Sequence, residues 1–252
     1  MLAGPALRPL LEEWTIPGAL LSSRTSLIWL EYDLPGGEGG RPPMVYFGLL
    51  GPSPAELGDL VQRTRRILTG RAAEEAQIKA LEHCIRSLPE DGQITFLADP
   101  CASRNVEHVR LIAQVPRVHA WSWLERIGWQ GSRDQWEQAS SAFANGPLHI
   151  SLYVDVADTV GPNLGVESTF PAPCSAPDLW EELGEQLVDL GATTAEEAAA
   201  VRAWAGRETV DLPGVESLVR LERWPGYKLV LNAQGGISAK GYLAFRARET
   251  LF

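Results

Sequence analysis

The 252-residue sequence holds few of the residues that usually announce a chemistry: three cysteines, four histidines and two methionines. Cys84, Cys101 and Cys174 are scattered and odd in number, which argues against a disulfide framework and fits a reducing, cytoplasmic setting. His83, His108, His119 and His149 show no HxH, HExxH or His/Cys ligand spacing, so no metal site is expected. No local signature supports a Cys–His nucleophilic pair. Basic residues are also scarce. Lysine and arginine total 22 against 32 acidic residues, and the formal net charge of -10 argues against general nucleic-acid or anionic-membrane binding. A local cationic pocket stays open. No apolar run approaches the roughly 18 residues of a membrane span. The N-terminus lacks the basic-then-apolar pattern of a signal peptide. Glycines cluster between Gly36 and Gly40 and at Gly235-Gly236, but neither cluster leads into the helix that a P-loop or dinucleotide fingerprint needs. Both resemble hairpin turns. Arg63, Arg65, Arg66 and Arg71 form a basic patch that reads as a solvated helix face, or as a dock for an acidic partner.

What the chain does have is period-two patterning. From His149 to Phe170, HISLYVDVADTVGPNLGVESTF, the residues Ile150, Leu152, Val154 and Val156 alternate with His149, Ser151, Tyr153 and Asp155. After an expected turn at Gly161-Pro162-Asn163, a second strand alternates Leu164, Val166, Ser168 and Phe170 with Gly165, Glu167 and Thr169. Similar units read SLIWLEYDL…MVYFGLL from Ser26, QITFLADP…VRLIAQV from Gln93, and YKLVLNAQ…AKGYLAF from Tyr227. Asp33, Asp99, Asp155 and Asn232 recur near the end of each first strand, where a short polar side chain can cap a turn.

Helix signals fill the gaps. Residues 5–14 suggest a short helix. Ser53-Pro54-Ala55-Glu56 and Thr194-Ala195-Glu196-Glu197 are capping boxes, and Ser132 and Asp178 are further N-caps. Further helical spacing runs over 72–88 and from Trp121 to Gly128, whereas 207–226 lacks a clear pattern and reads as a surface crossing. No proline- or serine-rich linker divides the chain, so one domain over residues 1–252 is expected. The predicted class is α+β, with four ββαα-type repeats. Hairpins with one apolar face can close side by side into an antiparallel barrel, with the apolar faces covered by surrounding helices and the polar faces lining a lumen.

That arrangement resembles the ABBA or PT-barrel prenyltransferases of natural-product biosynthesis. The likeness covers nearly the whole chain and rests on repeat order, since no linear motif carries it. It implies transfer of a prenyl group from an isoprenoid diphosphate to an electron-rich acceptor, an aromatic ring or a peptide side chain. No bound cofactor is implied beyond that co-substrate, with Mg2+ as an optional companion. The family has ten strands in five repeats, and the four hairpins here supply eight. Residues 15–26 or 207–226 would have to contribute the others, or the chain is a smaller relative.

Alternation then assigns a lumenal set. First strands contribute Trp29, Glu31 and Asp33, Thr95 and Asp99, Tyr153 and Asp155, Lys228 and Asn232. Second strands contribute Tyr46, Arg110 and Gln114, Glu167 and Thr169, Lys240, Tyr242 and Arg246. In a prenyl-transfer pocket Arg110, Lys228 and Lys240 would neutralise the diphosphate. Tyr46, Tyr153, Tyr242 and Trp29 would line the substrate site, the tyrosine faces shielding an allyl cation. Glu31, Glu167 or Asp155 would hold the acceptor or take its proton. The same charges can equally be ion pairs that fix strand register. Two other functions fit the same lumen: a proton-transfer cyclase or isomerase, and a non-catalytic accessory protein that holds a precursor peptide.

Overall fold

The computed structural model describes residues 7–31, 43–100, 107–168, 176–211 and 218–249, giving the backbone alone for Pro100 and residues 245–249. Among these the fold is α+β. Helix pairs and strand pairs alternate three times, and a last helix pair leads into three strands. The chain divides into two compact units, Met1–Gln130 with Ser151–Leu164, and Gly131–Ile150 with Gly165–Phe252.

The first unit contains α1 (Leu7–Thr15), α2 (Leu20–Arg24), β1 (Thr25–Glu31), β2 (Met44–Leu49), α3 (Pro54–Thr69), α4 (Glu75–Arg86), β3 (Gln93–Pro100), β4 (Val109–Pro116) and α5 (Arg117–Arg126), with most of β5 (His149–Val156) and β6 (Val160–Glu167). Strands β1 to β4 are antiparallel neighbours in chain order, followed by β5 and β6. Helix α3 forms where the sequence calls for it. Ser53 Oγ accepts from the Glu56 amide at 3.3 Å, and the Glu56 carboxylate accepts from the Ser53 amide at 2.8 Å. Gly70 ends the helix at φ 73°, in the left-handed region that favours glycine. Leu57, Leu60, Val61 and Leu68 lie on one side of α3 and are buried, and α3 packs on β3. Val45, Phe47, Leu97 and Leu111 form the buried helix-facing side of the sheet.

Two details of this sheet differ from the sequence reading. The β5–β6 turn lies at 157–159, where the Ala157 amide donates to the Thr159 carbonyl, and not at Gly161-Pro162-Asn163. Gly161 sits within the strand because a Cβ there would come within 3.2 Å of the Asp155 carbonyl oxygen. In β3 the register against β4 shifts between Ile94 and Phe96. Thr95 is the residue passed over, and Phe96 and Ala98 take the face expected for Thr95 and Asp99.

The second unit contains α6 (Arg133–Ser141), α7 (Pro177–Asp189), α8 (Ala195–Trp204), β7 (Gly206–Val210), β8 (Val219–Leu231) and β9 (Ile237–Glu249). Strand β8 pairs antiparallel with β7 over its first five residues and with β9 along its whole length. Segment 207–226 therefore contains β7 and the start of β8 and is not an irregular crossing. Its alternation is hard to read because few apolar residues, Val210, Val219 and Leu221, stand among the charges of the paired stretch. Arg207 lies directly opposite Glu222, with 3.3 Å between the charged groups, and Arg223 reaches Glu208 at 3.6 Å. Asn232 closes the β8–β9 turn, its Oδ1 accepting from the amides of Gln234 (3.0 Å) and Gly236 (2.9 Å).

Candidate functional site

The face of β1–β4 turned away from α3 holds the densest group of the expected site residues. Pairing places Trp29 opposite Tyr46, Tyr46 opposite Ala98 and Ala98 opposite Arg110, one continuous row across four strands. The neighbouring rows add Leu27, Gly48, Phe96 and Ile112 on one side, and Glu31 and Met44 on the other. Met44, Tyr46, Ala98 and Ile112 are buried together, with Phe96 and Tyr153 packed against them. Over this floor stands Trp29, 50 % exposed. Its ring lies 5.9 Å from Tyr46, tilted, and 6.0 Å from Phe96, edge-on. Gly48 makes room for that stack, since a Cβ there would meet Leu27 Cβ at 3.2 Å and the Phe96 ring at 3.3 Å.

The polar end of this face is organised by Arg110. Its Nε donates to Asp155 Oδ1 at 2.7 Å and its Nη2 to Oδ2 at 3.1 Å, a two-pronged pair that is largely but not wholly covered. Burial opposes the arginine charge. The hydrogen bonds and charge of Asp155, with Tyr46 behind them, more than offset it and hold the guanidinium's pKa above its ordinary value. His108 Nε2 lies 3.4 Å from the same Asp155 oxygen. The buried Tyr46 hydroxyl lies between Glu31 on one hand and Arg110 on the other. Burial first, and the Glu31 charge second, push its pKa well above the usual tyrosine value.

Six of the expected residues, Trp29, Glu31, Tyr46, Arg110, Tyr153 and Asp155, thus belong to the first unit. The other four belong to the second. Lys228 is buried, with Nζ 5.1 Å above the Tyr242 ring, an arrangement that favours a cation over an aromatic face. Lys240 stands directly opposite Lys228 but is exposed, and Tyr242 faces Gly226 across the same pair of strands. Glu167 is half-buried at the end of β6. Asp33 and Thr169 lie outside the described residues, as does the side chain of Arg246. Gln114 lies opposite Gln93, whose side-chain amide donates to it at 2.8 Å.

Asp99 and His108 carry more than the sequence reading assigned to them. Asp99 is wholly buried on the α3 side, accepting from Thr64 Oγ1 at 3.2 Å, with Arg65 Nη1 3.8 Å away. Burial pushes its pKa up to about 7, although Arg65 and Thr64 pull it down. The signal for His108 was present: it stands two residues before Arg110, and alternation puts both on one face. Cys84 is a buried free thiol whose pKa burial pushes up to about 12, which leaves it unreactive. Cys101 and Cys174 lie outside the described residues. Among the described residues no cluster of three or more His, Cys, Asp or Glu could hold a metal, and no helix is long and apolar enough to cross a membrane. Compared with known proteins, the chain matches no family model, no curated protein and no solved structure.

Proposed function

We propose that this chain is a cytoplasmic, prenyltransferase-like tailoring enzyme that moves a prenyl group from an isoprenoid diphosphate to an aromatic or peptide acceptor. The finer fold reading goes with it: a PT-barrel-like closure of the hairpins around a polar lumen. The observation that carries the proposal is the aromatic floor of Tyr46, Phe96 and Tyr153 under the half-exposed Trp29, with a carboxylate and a guanidinium at its end. Electron-rich ring faces stabilise an allyl cation, and the apolar floor keeps water from capturing it. In the reaction the C1–O bond of the donor breaks and the electron pair leaves with the diphosphate. C1 then bonds to the acceptor, and the acceptor's proton passes to a carboxylate, for which Glu31 is the candidate on this face. The second unit has a cationic group of its own, Lys228 and Lys240 with Tyr242, whose residues are the candidates for binding a diphosphate.

One observation favours a second reading. Arg110 already spends both prongs of its fork on Asp155, so its charge is compensated before any ligand arrives. A face whose charges are satisfied and whose tryptophan is exposed also suits an accessory protein that holds a precursor peptide without turnover. Calorimetric titration with dimethylallyl and geranyl diphosphate, with and without Mg2+, separates the two. Saturable binding, weakened about tenfold or more by Lys240→Ala, is the expected result. No binding under either condition sinks the prenyl-transfer reading and leaves the peptide-holding one.

A further inference from the structure

The helix-facing side of the same sheet contains a charge arrangement that the proposed reaction does not use. Asp99 Oδ1 and Arg65 Nε are both buried and, among the described residues, both lack a hydrogen-bond partner, although the two side chains come within 3.8 Å. A buried charge pair is normally held by short hydrogen bonds, because only those offset the loss of water. Here Arg65 directs its bond elsewhere. Its Nη1 donates to the Glu107 carbonyl at 2.9 Å, an oxygen that also accepts from Gln77 Nε2 of α4 at 3.0 Å. Arg65 thus has two acceptors within reach and satisfies one of them.

We propose that Arg65 is a two-position latch between α3 and the strands, switched by the ionisation of Asp99. With Asp99 protonated, Arg65 bonds Glu107, as in the described structure. With Asp99 ionised, the guanidinium moves onto the carboxylate, and Glu107 keeps Gln77 alone. The pH range follows from the surroundings. Among the described residues, Arg65 supplies the charge that acts on Asp99, and Thr64 donates the hydrogen bond. Val45 of β2 lies opposite Asp99, and Leu97 and Leu111 beside it are apolar and fully buried. Desolvation therefore dominates, and the carboxyl titrates near neutrality.

The switch lies next to the candidate site. Asp99 follows Ala98, whose strand partners are Tyr46 and Arg110, and Glu107 is three residues before Arg110. Movement of Arg65 changes the anchoring of the segment that delivers His108 and Arg110 to the other face. The latch does not depend on prenyl transfer and stands or falls separately from it.

The test follows backbone hydrogen exchange of residues 107–110 in the whole protein from pH 5.5 to 8.5, corrected for intrinsic exchange, beside a carbon-13 NMR titration of the aspartate carboxyls. In the wild type an aspartate carboxyl that Asp99→Asn removes titrates between about pH 6 and 8. Protection at 107–110 falls severalfold over the same range. Asp99→Asn, which imitates the protonated acid, keeps full protection throughout, and Arg65→Gln loses the pH response while lacking the anchor at every pH. A carboxyl that titrates below about 5, or a pH response that persists in Asp99→Asn, overturns the latch.

Discussion

Two Arg–Asp pairs stand on opposite faces of one sheet and behave differently. On the aromatic face Arg110 and Asp155 meet through two hydrogen bonds, at 2.7 and 3.1 Å, and keep partial contact with solvent. On the helix face Arg65 and Asp99 approach only to 3.8 Å, with Asp99 fully buried. Asp99 and Asp155 are the same residue type, each near the end of its strand. Burial without a fork of hydrogen bonds lets desolvation win at Asp99. At Asp155 two hydrogen bonds from Arg110 tie the pair together and hold the polar end of the candidate site. Residue type is thus a poor guide to the worth of an ion pair, and donor geometry together with water access decides it.

The largest expected effect breaks the well-made pair. Arg110→Ala leaves Asp155 largely covered without its fork and should lower the unfolding free energy by about 2–4 kcal/mol in a urea titration at pH 7. A loss under about 1 kcal/mol would mean that the pair is no better than a surface bridge.

The next prediction contrasts the carboxylates by sign. The folded chain holds the Asp99 proton more tightly than the unfolded chain, about 7 against the ordinary 3.8. Folding therefore takes up a proton between those values, and Asp99's contribution to stability falls as pH rises through that window and levels off above it. Asp99→Asn should accordingly raise stability at pH 8 by about 1–3 kcal/mol, with the gain shrinking toward pH 4. Asp155→Asn should lower stability at pH 8, since Arg110 loses a charged acceptor. Chemical denaturation at both pH values checks the pair of signs, and the same sign for both substitutions would dissolve the contrast.

A smaller effect concerns the aromatic face itself. Gly48→Ala pushes a methyl into Leu27 and the Phe96 ring and should cost about 1–2 kcal/mol, with a change in tryptophan fluorescence as Trp29 shifts. Smallest of all is Lys240→Ala, exposed and opposite another lysine. Its thermal midpoint should stay within about 2 °C of wild type. That makes it the clean probe for diphosphate binding.

Much of the local structure was readable residue by residue. Alternating Ile150, Leu152, Val154 and Val156 are buried and their neighbours are not, as period two requires. Ser53, Ser132 and Thr194 cap their helices because a side-chain oxygen there meets an otherwise unpaired amide. Strand β7 and the start of β8 were hidden, because cross-strand Arg–Glu pairs occupy much of them and only Val219 and Leu221 alternate as apolar residues. In QITFLADP the set Ile94, Phe96, Ala98 and Pro100 is wholly apolar, whereas Gln93, Thr95, Leu97 and Asp99 mix apolar and polar residues. The register shift at Thr95, which alternation alone does not reveal, put Phe96 and Ala98 on the aromatic face and Asp99 on the buried helix side.

The recurrent position near the end of each first strand marks the boundary between the two kinds of information. The sequence by itself determined that a short polar residue recurs there, together with the helix caps, most strands and the acidic, cysteine-poor character of the chain. Only tertiary structure decided what each of those residues does. Asn232 caps a turn, Asp155 grips an arginine on the aromatic face, and Asp99 lies dry beneath a helix. The physical reason is range. Capping and alternation depend on neighbours a few residues away, whereas the charge state of a carboxyl depends on donors and water set by partners such as Thr64, 35 residues off, and Arg110, 45 residues off.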